Sequence, residues 1–163
     1  LAGILMTPES AFGNERRGTP SAVAELGRVM GFDTVVVPSL DLGGRPVRSA
    51  EIRSDIAAGD LAGATSLLGR PYSVIGRGTA VGGRLEVTVP MPVALPPAGR
   101  YRAAIEPPAN GDGTPGIAEI DGGGHLSFAA VDGIAFGGEA VRIVFAPGGR
   151  LPDPSVAATI RRS

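Results

Sequence analysis

The chain of 163 residues has no cysteine, no lysine and no tryptophan, and its single histidine is His125. The lack of cysteine excludes disulfides, thiol nucleophiles and Cys-based zinc sites, and it fits a reducing cytoplasm. Without lysine there is no P-loop lysine, no strand-borne kinase lysine and no Schiff-base amine. The fifteen positive side chains are all arginines, set against sixteen acids for a net charge of −1. They are spread along the chain, which argues against non-specific binding to nucleic acid or to a membrane surface. With only five Phe and two Tyr, the core must be built mainly from Val, Ile, Leu and Ala. No apolar run reaches membrane-spanning length, and the opening residues do not read as a signal peptide.

Glycine and proline, in contrast, are abundant at 26 and 15, as expected for short strands joined by many turns. Apolar residues make up 43% and charged residues 19%, the balance of a folded chain with room for one solid core or two small ones. The chain opens directly on an apolar run, Leu1–Met6, which reads as a buried strand of a parallel sheet and as a start inside a domain. After a polar loop, Thr19-Pro20 predicts a helix start. Val23, Leu26 and Met30 then recur at helical spacing, and Gly31 serves as the C-cap. Thr34–Val37 is β-branched and reads as a second buried strand, completing a right-handed parallel βαβ unit.

Ser49 is expected to cap a helix carrying Ile52 and Ile56 on one face and ending at Gly59. Asp60 then caps a shorter helix through Leu67 and Leu68 to Gly69. From Tyr72 the period becomes two: Leu85, Val87 and Val89; Tyr101, Ala103 and Ile105; Leu126 and Phe128; Val141, Ile143 and Phe145. Gly82-Gly83, Pro96-Pro97, residues 110–113, Gly122-Gly123-Gly124 and Gly137-Gly138 separate them as turns. A small antiparallel barrel of about six strands is predicted, followed by a short helix after Asp153-Pro154. The expected fold class is α/β plus all-β: the end of a Rossmann-like domain over residues 1–69, with a βαβ unit and two helices, then a six-stranded barrel over 70–163.

The segment Pro46–Arg53 (PVRSAEIR) bears the clearest chemistry. A turn entering a helix points backbone N–H groups and the positive dipole end at one place, which suits an anion. Ser49 can donate to a phosphate oxygen there, and Arg53 can neutralise charge. The plainer reading is a capping Ser49 and a solvated Arg53. His125, following three glycines, reads as a surface or turn residue. Glu119 and Asp121 read as a solvated face, and Gly76-x-Gly78 is no dinucleotide fingerprint because no βα switch surrounds it.

The order of several pieces resembles bacterial bifunctional riboflavin kinase/FMN adenylyltransferases (FAD synthetases), C-terminal portion. These carry Ser-Ser-Thr-x-Ile-Arg, a short helix, Gly-Asp, then Leu-Leu-Gly-Arg-Pro-Tyr. Here RSAEIR stands at Arg48–Arg53, Gly59-Asp60 follows, and LLGRPYSVIGR occupies Leu67–Arg77. Upstream, Ile4–Thr19 is similar to the family's strand and Phe-Gly loop. Downstream, LPPAGRYRA at Leu95–Ala103 is similar to Leu-Pro-x-x-Gly-x-Tyr.

The resemblance implies a nucleotidyltransferase-like first domain that transfers AMP from ATP to FMN, with Mg²⁺, ATP and FMN/FAD as cofactor, substrates and product. It implies ATP-phosphate contacts for Ser49, Arg53 and Arg48, and flavin contacts for Phe12, Gly13, Arg16 and Arg17. No protein metal ligand and no catalytic residue is assigned. The partners it implies are nucleotides and flavins in the cytoplasm, not nucleic acid or membrane, and exposed strand edges favour a homo-oligomer.

The departures are specific. Ala50 replaces the family Thr, Arg48 replaces the first Ser, and the nucleotide-binding Gly-x-Phe-Asp-Gly-x-His-x-Gly-His segment is absent. The barrel lacks the Pro-Thr-Ala-Asn of flavokinases and their glutamate base, so riboflavin kinase activity is expected to be lost. The alternative is a non-catalytic flavin-nucleotide-binding or interaction module that keeps only the scaffold.

Overall fold

A computed structural model describes residues 2–106, 113–131 and 140–152. The expected turns at residues 110–112 and 137–138 and the helix after Asp153-Pro154 lie outside the described residues. By contacts the chain falls into two compact units, Leu1–Val47 and Arg48–Ser163.

In the first unit, β1 (Gly3–Met6) pairs in parallel with β2 (Asp33–Val36), Leu5 opposite Val35, and α1 (Pro20–Met30) connects them. The start of α1 follows the sequence signal: Thr19 is the N-cap and accepts from the Ala22 N–H at 3.4 Å, with Pro20 in the first turn. Gly31, at φ 74°, closes the helix in the left-handed conformation that glycine adopts without strain. A small hairpin, β3 (Asp41–Leu42) with β4 (Arg45–Pro46), follows.

Two expectations for this unit are corrected. Neither strand is buried along its length: Met6 is buried, but Leu5 is 72% exposed and Val35 and Val36 each 49%. One helix can cover only one face of a two-stranded sheet. The buried positions of α1 are Val23 and Gly27, while Leu26 and Met30 are exposed. Gly27 takes the inner place because Phe32 folds back on it; a Cβ there would stand 2.4 Å from the Phe32 carbonyl oxygen.

In the second unit, α2 (Ser49–Ala58) buries Ile56 and ends at Gly59, and α3 (Leu61–Leu68) buries Leu61, Ala64 and Leu67 and ends at Gly69. Asp60 caps α3, its Oδ1 accepting from the Gly63 N–H at 2.8 Å. Leu61 belongs to the barrel's own apolar cluster, so α3 packs with the barrel that follows it.

The barrel is a closed antiparallel sheet of six strands: β5 (Ser73–Val81), β6 (Arg84–Thr88), β7 (Gly99–Glu106), β8 (Thr114–Ile120), β9 (Leu126–Ala130) and β10 (Ala140–Arg150), ordered β10-β5-β6-β9-β8-β7. Alternate residues point inward as predicted, giving a core with Val74, Leu85, Val87, Tyr101, Ile105, Leu126, Phe128, Ile143 and Phe145. Each large side chain buried there contributes roughly 1.5–3 kcal/mol. Val81 opposes Arg84, leaving Gly82 and Gly83 as a two-residue turn with both φ positive, the twist-matched hairpin connection. Gly76 and Gly78 face inward under Val87 and Leu85, where a Cβ would come within 2.6 and 2.7 Å of those side chains. Their spacing serves strand packing.

Candidate functional site

The residues singled out by sequence fall into two groups, one in each unit. In the first unit, Phe12, Gly13, Arg16 and Arg17 share one small exposed loop. It is closed by the Phe12–Gly18 bridge, in which the Gly18 N–H donates to the Phe12 carbonyl at 2.8 Å. Gly13 (φ 77°) opens a single 3-10 turn over Asn14–Arg16. Within it Glu15 and Arg16 are held at φ 53° and 56°, a conformation that costs a residue with a side chain of order 1 kcal/mol. The Phe12 ring lies over Gly18, where a Cβ would meet it at 2.9 Å, and Phe12 remains 54% exposed. Arg17 pairs with Glu15 across the turn.

In the second unit, the start of α2 differs by one residue from the expectation. Arg48 is the N-cap, in extended conformation, and its carbonyl accepts from the Ile52 N–H at 3.1 Å; Ser49 is therefore the first helical residue and not the cap. Arginine has no side-chain acceptor, and no side chain caps the helix. Ser49 and Arg53, four apart, lie on one face of the helix, and Arg48, Ser49 and Arg53 are all exposed. The first turn also carries Glu51.

A polar patch on the barrel was missed as a constellation. Arg84 on β6 reaches Glu119 on β8 at 2.6 Å and Ser127 on β9 at 2.9 Å. Near it, the turn before β9 is built on Asp121, whose Oδ1 accepts from the Gly123 and His125 N–H groups at 2.8 and 2.9 Å. Asp121 Oδ2 lies 2.9 Å from His125 Nδ1. The His125 bonds, first the backbone one and then the side-chain one, hold the Asp121 carboxyl below its usual pKa. The hydrogen bond to Asp121, then its charge, raises the His125 pKa. His125 is thus a well-exposed turn residue, as read from its setting after three glycines. The signal for Arg84–Glu119 was the outward alternation of charged residues on β6 and β8, which gives faces but not partners. Among the described residues, no three His, Cys, Asp or Glu side chains gather as a metal site, and no helix is long and apolar enough to cross a membrane.

Comparison with known proteins gives first the fold. A solved structure described as a macrolide-efflux protein from Streptococcus pneumoniae matches 98% of this chain and 55% of its own, with a TM-score of 0.68 at 18% identity. No family model matches the chain. A curated bifunctional riboflavin kinase/FMN adenylyltransferase from Pseudomonas fluorescens is 29% identical over 137 residues, covering 74% of this chain and 43% of the relative. The chain is thus similar to part of a bifunctional riboflavin kinase/FMN adenylyltransferase, and its six-stranded barrel fits a riboflavin kinase-like fold. It spans less than half the length of the curated relative it matches.

Proposed function

We propose that this chain is the rear part of an FMN adenylyltransferase, with residues 1–69 as the end of a Rossmann-like nucleotidyltransferase domain and 70–163 as a degenerate riboflavin kinase-like barrel. An oxygen of the FMN phosphate attacks the α-phosphorus of ATP. The new P–O bond forms as the bond to the β-phosphate oxygen breaks, giving FAD and pyrophosphate. The observation that carries the reading is the start of α2, a helix N-terminus uncapped by any side chain and flanked by Arg48, Ser49 and Arg53. N–H groups, a hydroxyl and two guanidiniums suit phosphate oxygens and stabilise charge that grows during transfer. This donor set fits the anion and not a cation, so in this reading Mg²⁺ is held by the ATP phosphates themselves. Phe12, Gly13, Arg16 and Arg17 take the flavin and its phosphate, the ring by stacking on Phe12 and the phosphate by the arginines. Riboflavin kinase activity is absent, because the barrel lacks the Pro-Thr-Ala-Asn element and the glutamate base. The setting is cytoplasmic, and the outer edges of β1 and β2, which pair with no other strand among the described residues, favour self-association.

A second reading, a binding module without catalysis, draws support from Ala50 in place of a hydroxyl residue and from the exposure of every proposed flavin contact. The test is FAD formation from FMN and Mg·ATP by the full-length product of the reading frame. Activity that drops at least tenfold in the Ser49→Ala, Arg53→Ala pair supports the transferase. A pair as active as wild type removes the phosphate assignment, and FAD binding without turnover favours the module. Conversion of riboflavin to FMN with ATP would restore the kinase.

A further inference from the structure

The helix α2, whose start carries the proposed phosphate site, falls by contacts into the same compact unit as the barrel. It is tied there through α3. The Asp55 carboxylate lies over Gly63, where a Cβ would stand 2.9 Å from its Oδ2, and Leu61, at the start of α3, sits in the barrel core. We propose that Arg150 is a positioning residue for that site: a cation supplied by the barrel to the C-terminal end of α2, holding the helix so that its N-terminal end is in place for phosphate. The link to phosphate rests on the transferase reading, whereas the brace itself rests on packing alone.

Three observations carry it. The first is charge at the helix end. Aligned peptide dipoles leave a helix C-terminus partly negative, so a cation near the last turn is favourable. α2 has no basic residue of its own in that turn. Arg150 supplies one: a Cβ on Gly59, the C-cap of α2, would stand 3.5 Å from Arg150 Nη1 and 3.5 Å from Pro97 Cδ. The guanidinium and the proline ring thus close on the end of the helix. The second is the path of β10. Phe145 opposes Ala103 and Arg150 opposes Tyr101, five steps along β10 against two along β7. The extra residues form a bulge through Gly148, at φ 64°, and Gly149, where a Cβ would stand 2.8 Å from the Ala146 carbonyl oxygen and 2.9 Å from that of Arg102. Bulges of this kind re-aim side chains, and the Leu151 N–H, donating to the Arg100 carbonyl at 2.8 Å, fixes the chain just beyond Arg150. The third is Gly99. Its φ of 153° and its missing side chain leave room for Arg150, whose Nε lies 3.6 Å from where a Cβ would be. Arg150 Nη2 donates to the Ala98 carbonyl at 3.4 Å, so one guanidinium meets the strand start and the helix end together.

A helix braced at its far end presents its first N–H groups, Ser49 and Arg53 in one arrangement. A phosphate then binds without first having to order the helix, and its apparent affinity is not reduced by a competing loose state. The barrel so contributes to AMP transfer with no kinase chemistry of its own.

The experiment joins hydrogen–deuterium exchange to steady-state FAD formation, on the full-length product of the reading frame, for wild type, Arg150→Gln, Arg150→Lys and Arg77→Gln. In Arg150→Gln the α2 amides are expected to exchange about threefold faster while β8 is unchanged, and KM for Mg·ATP to rise about threefold with kcat and KM for FMN near wild type, the scale of one lost cation–dipole contact. A variant that merely loses folded enzyme loses kcat at unchanged KM. Arg150→Lys keeps the charge and should recover most of both effects, and Arg77→Gln, on β5, should match wild type. Unchanged α2 exchange in Arg150→Gln overturns the brace whatever the enzyme does. Faster exchange with KM for Mg·ATP unchanged, or a Lys variant no better than Gln, overturns the positioning role. A wild-type protein that forms no FAD removes the transferase reading. Calorimetric binding of Mg·ATP then decides in place of KM, and binding equal in Arg150→Gln and Arg77→Gln, or absent from wild type, overturns the link to phosphate. If Arg150→Gln unfolds the barrel, seen as lost β8 protection, Arg150→Met, which keeps the apolar stem without the charge, takes its place.

Discussion

The ring of Tyr101 meets that of Phe145 edge to face, with centroids 5.9 Å apart and planes at 84°. Both are fully buried, and the Tyr101 hydroxyl donates to the Pro97 carbonyl at 2.6 Å. The ring and the hydroxyl should therefore separate energetically. Phe145→Ala is expected to destabilise the barrel by about 3–5 kcal/mol. Tyr101→Phe, which keeps the ring and orphans one acceptor, should cost about 1–2 kcal/mol. Urea unfolding of both variants checks the order, and equal costs would refute the assignment of stability to ring packing.

Glycines of the barrel should differ sharply by position. At Gly116 an added Cβ would lie 2.2 Å from the Ala129 carbonyl oxygen and 2.4 Å from the Phe128 ring, whereas at Gly122 it meets nothing. Gly116→Ala should lose more than about 2 kcal/mol, since both backbone and core must shift, and Gly122→Ala should be near neutral. Thermal unfolding of the pair is the measurement.

The cap of α3 predicts a graded series. Asp60→Ala removes the acceptor of the Gly63 N–H and should cost about 1 kcal/mol, most of which Asp60→Asn recovers. Gly63→Ala should act on the same bond from the other side, because its Cβ would sit 2.4 Å from Asp60 Oδ2. A series in which Asn is no better than Ala would sink the capping account.

The turn before β9 should respond to pH. The His125 pKa is raised in the folded chain, so its contribution is complete below the ordinary value of 6.5 and is lost as pH rises through the folded value. That of Asp121 is lowered, so its contribution is present above 3.8 and is lost as pH falls through its folded value. The pair is fully formed in weakly acidic solution. Asp121→Asn should return the sole imidazole toward 6.5, read directly by its proton NMR titration.

The barrel was legible because inward and outward residues alternate strictly, as in Tyr101, Ala103 and Ile105, and because paired glycines mark turns. The helix ends were legible at Thr19, Gly31, Gly59, Asp60 and Gly69, where caps are local chemistry. The cap of α2 was not, since a serine beside an arginine attracts the assignment although the backbone turns at Arg48. Burial in the first unit was not legible either. Leu5, Val35 and Leu26 have the composition of a core, but burial depends on what stands opposite a residue. The Arg84–Glu119 pair joins strands 35 residues apart, a register that no local pattern encodes. Arg150 owes its place to a bulge.

The closure of the barrel has a kinetic meaning. The strands that seal it, β5 and β10, are its first and last, with Arg77 opposite Ala140 and Ser73 opposite Val144. Ordering some sixty to seventy residues of intervening chain comes before that seam is rewarded, the signature of a slow-folding topology. Until β10 arrives with Phe145, β5 and β7 are both raw edges. A chain halted before residue 140 is therefore an open, sticky sheet, and the arrival of β10 turns it into an edgeless one.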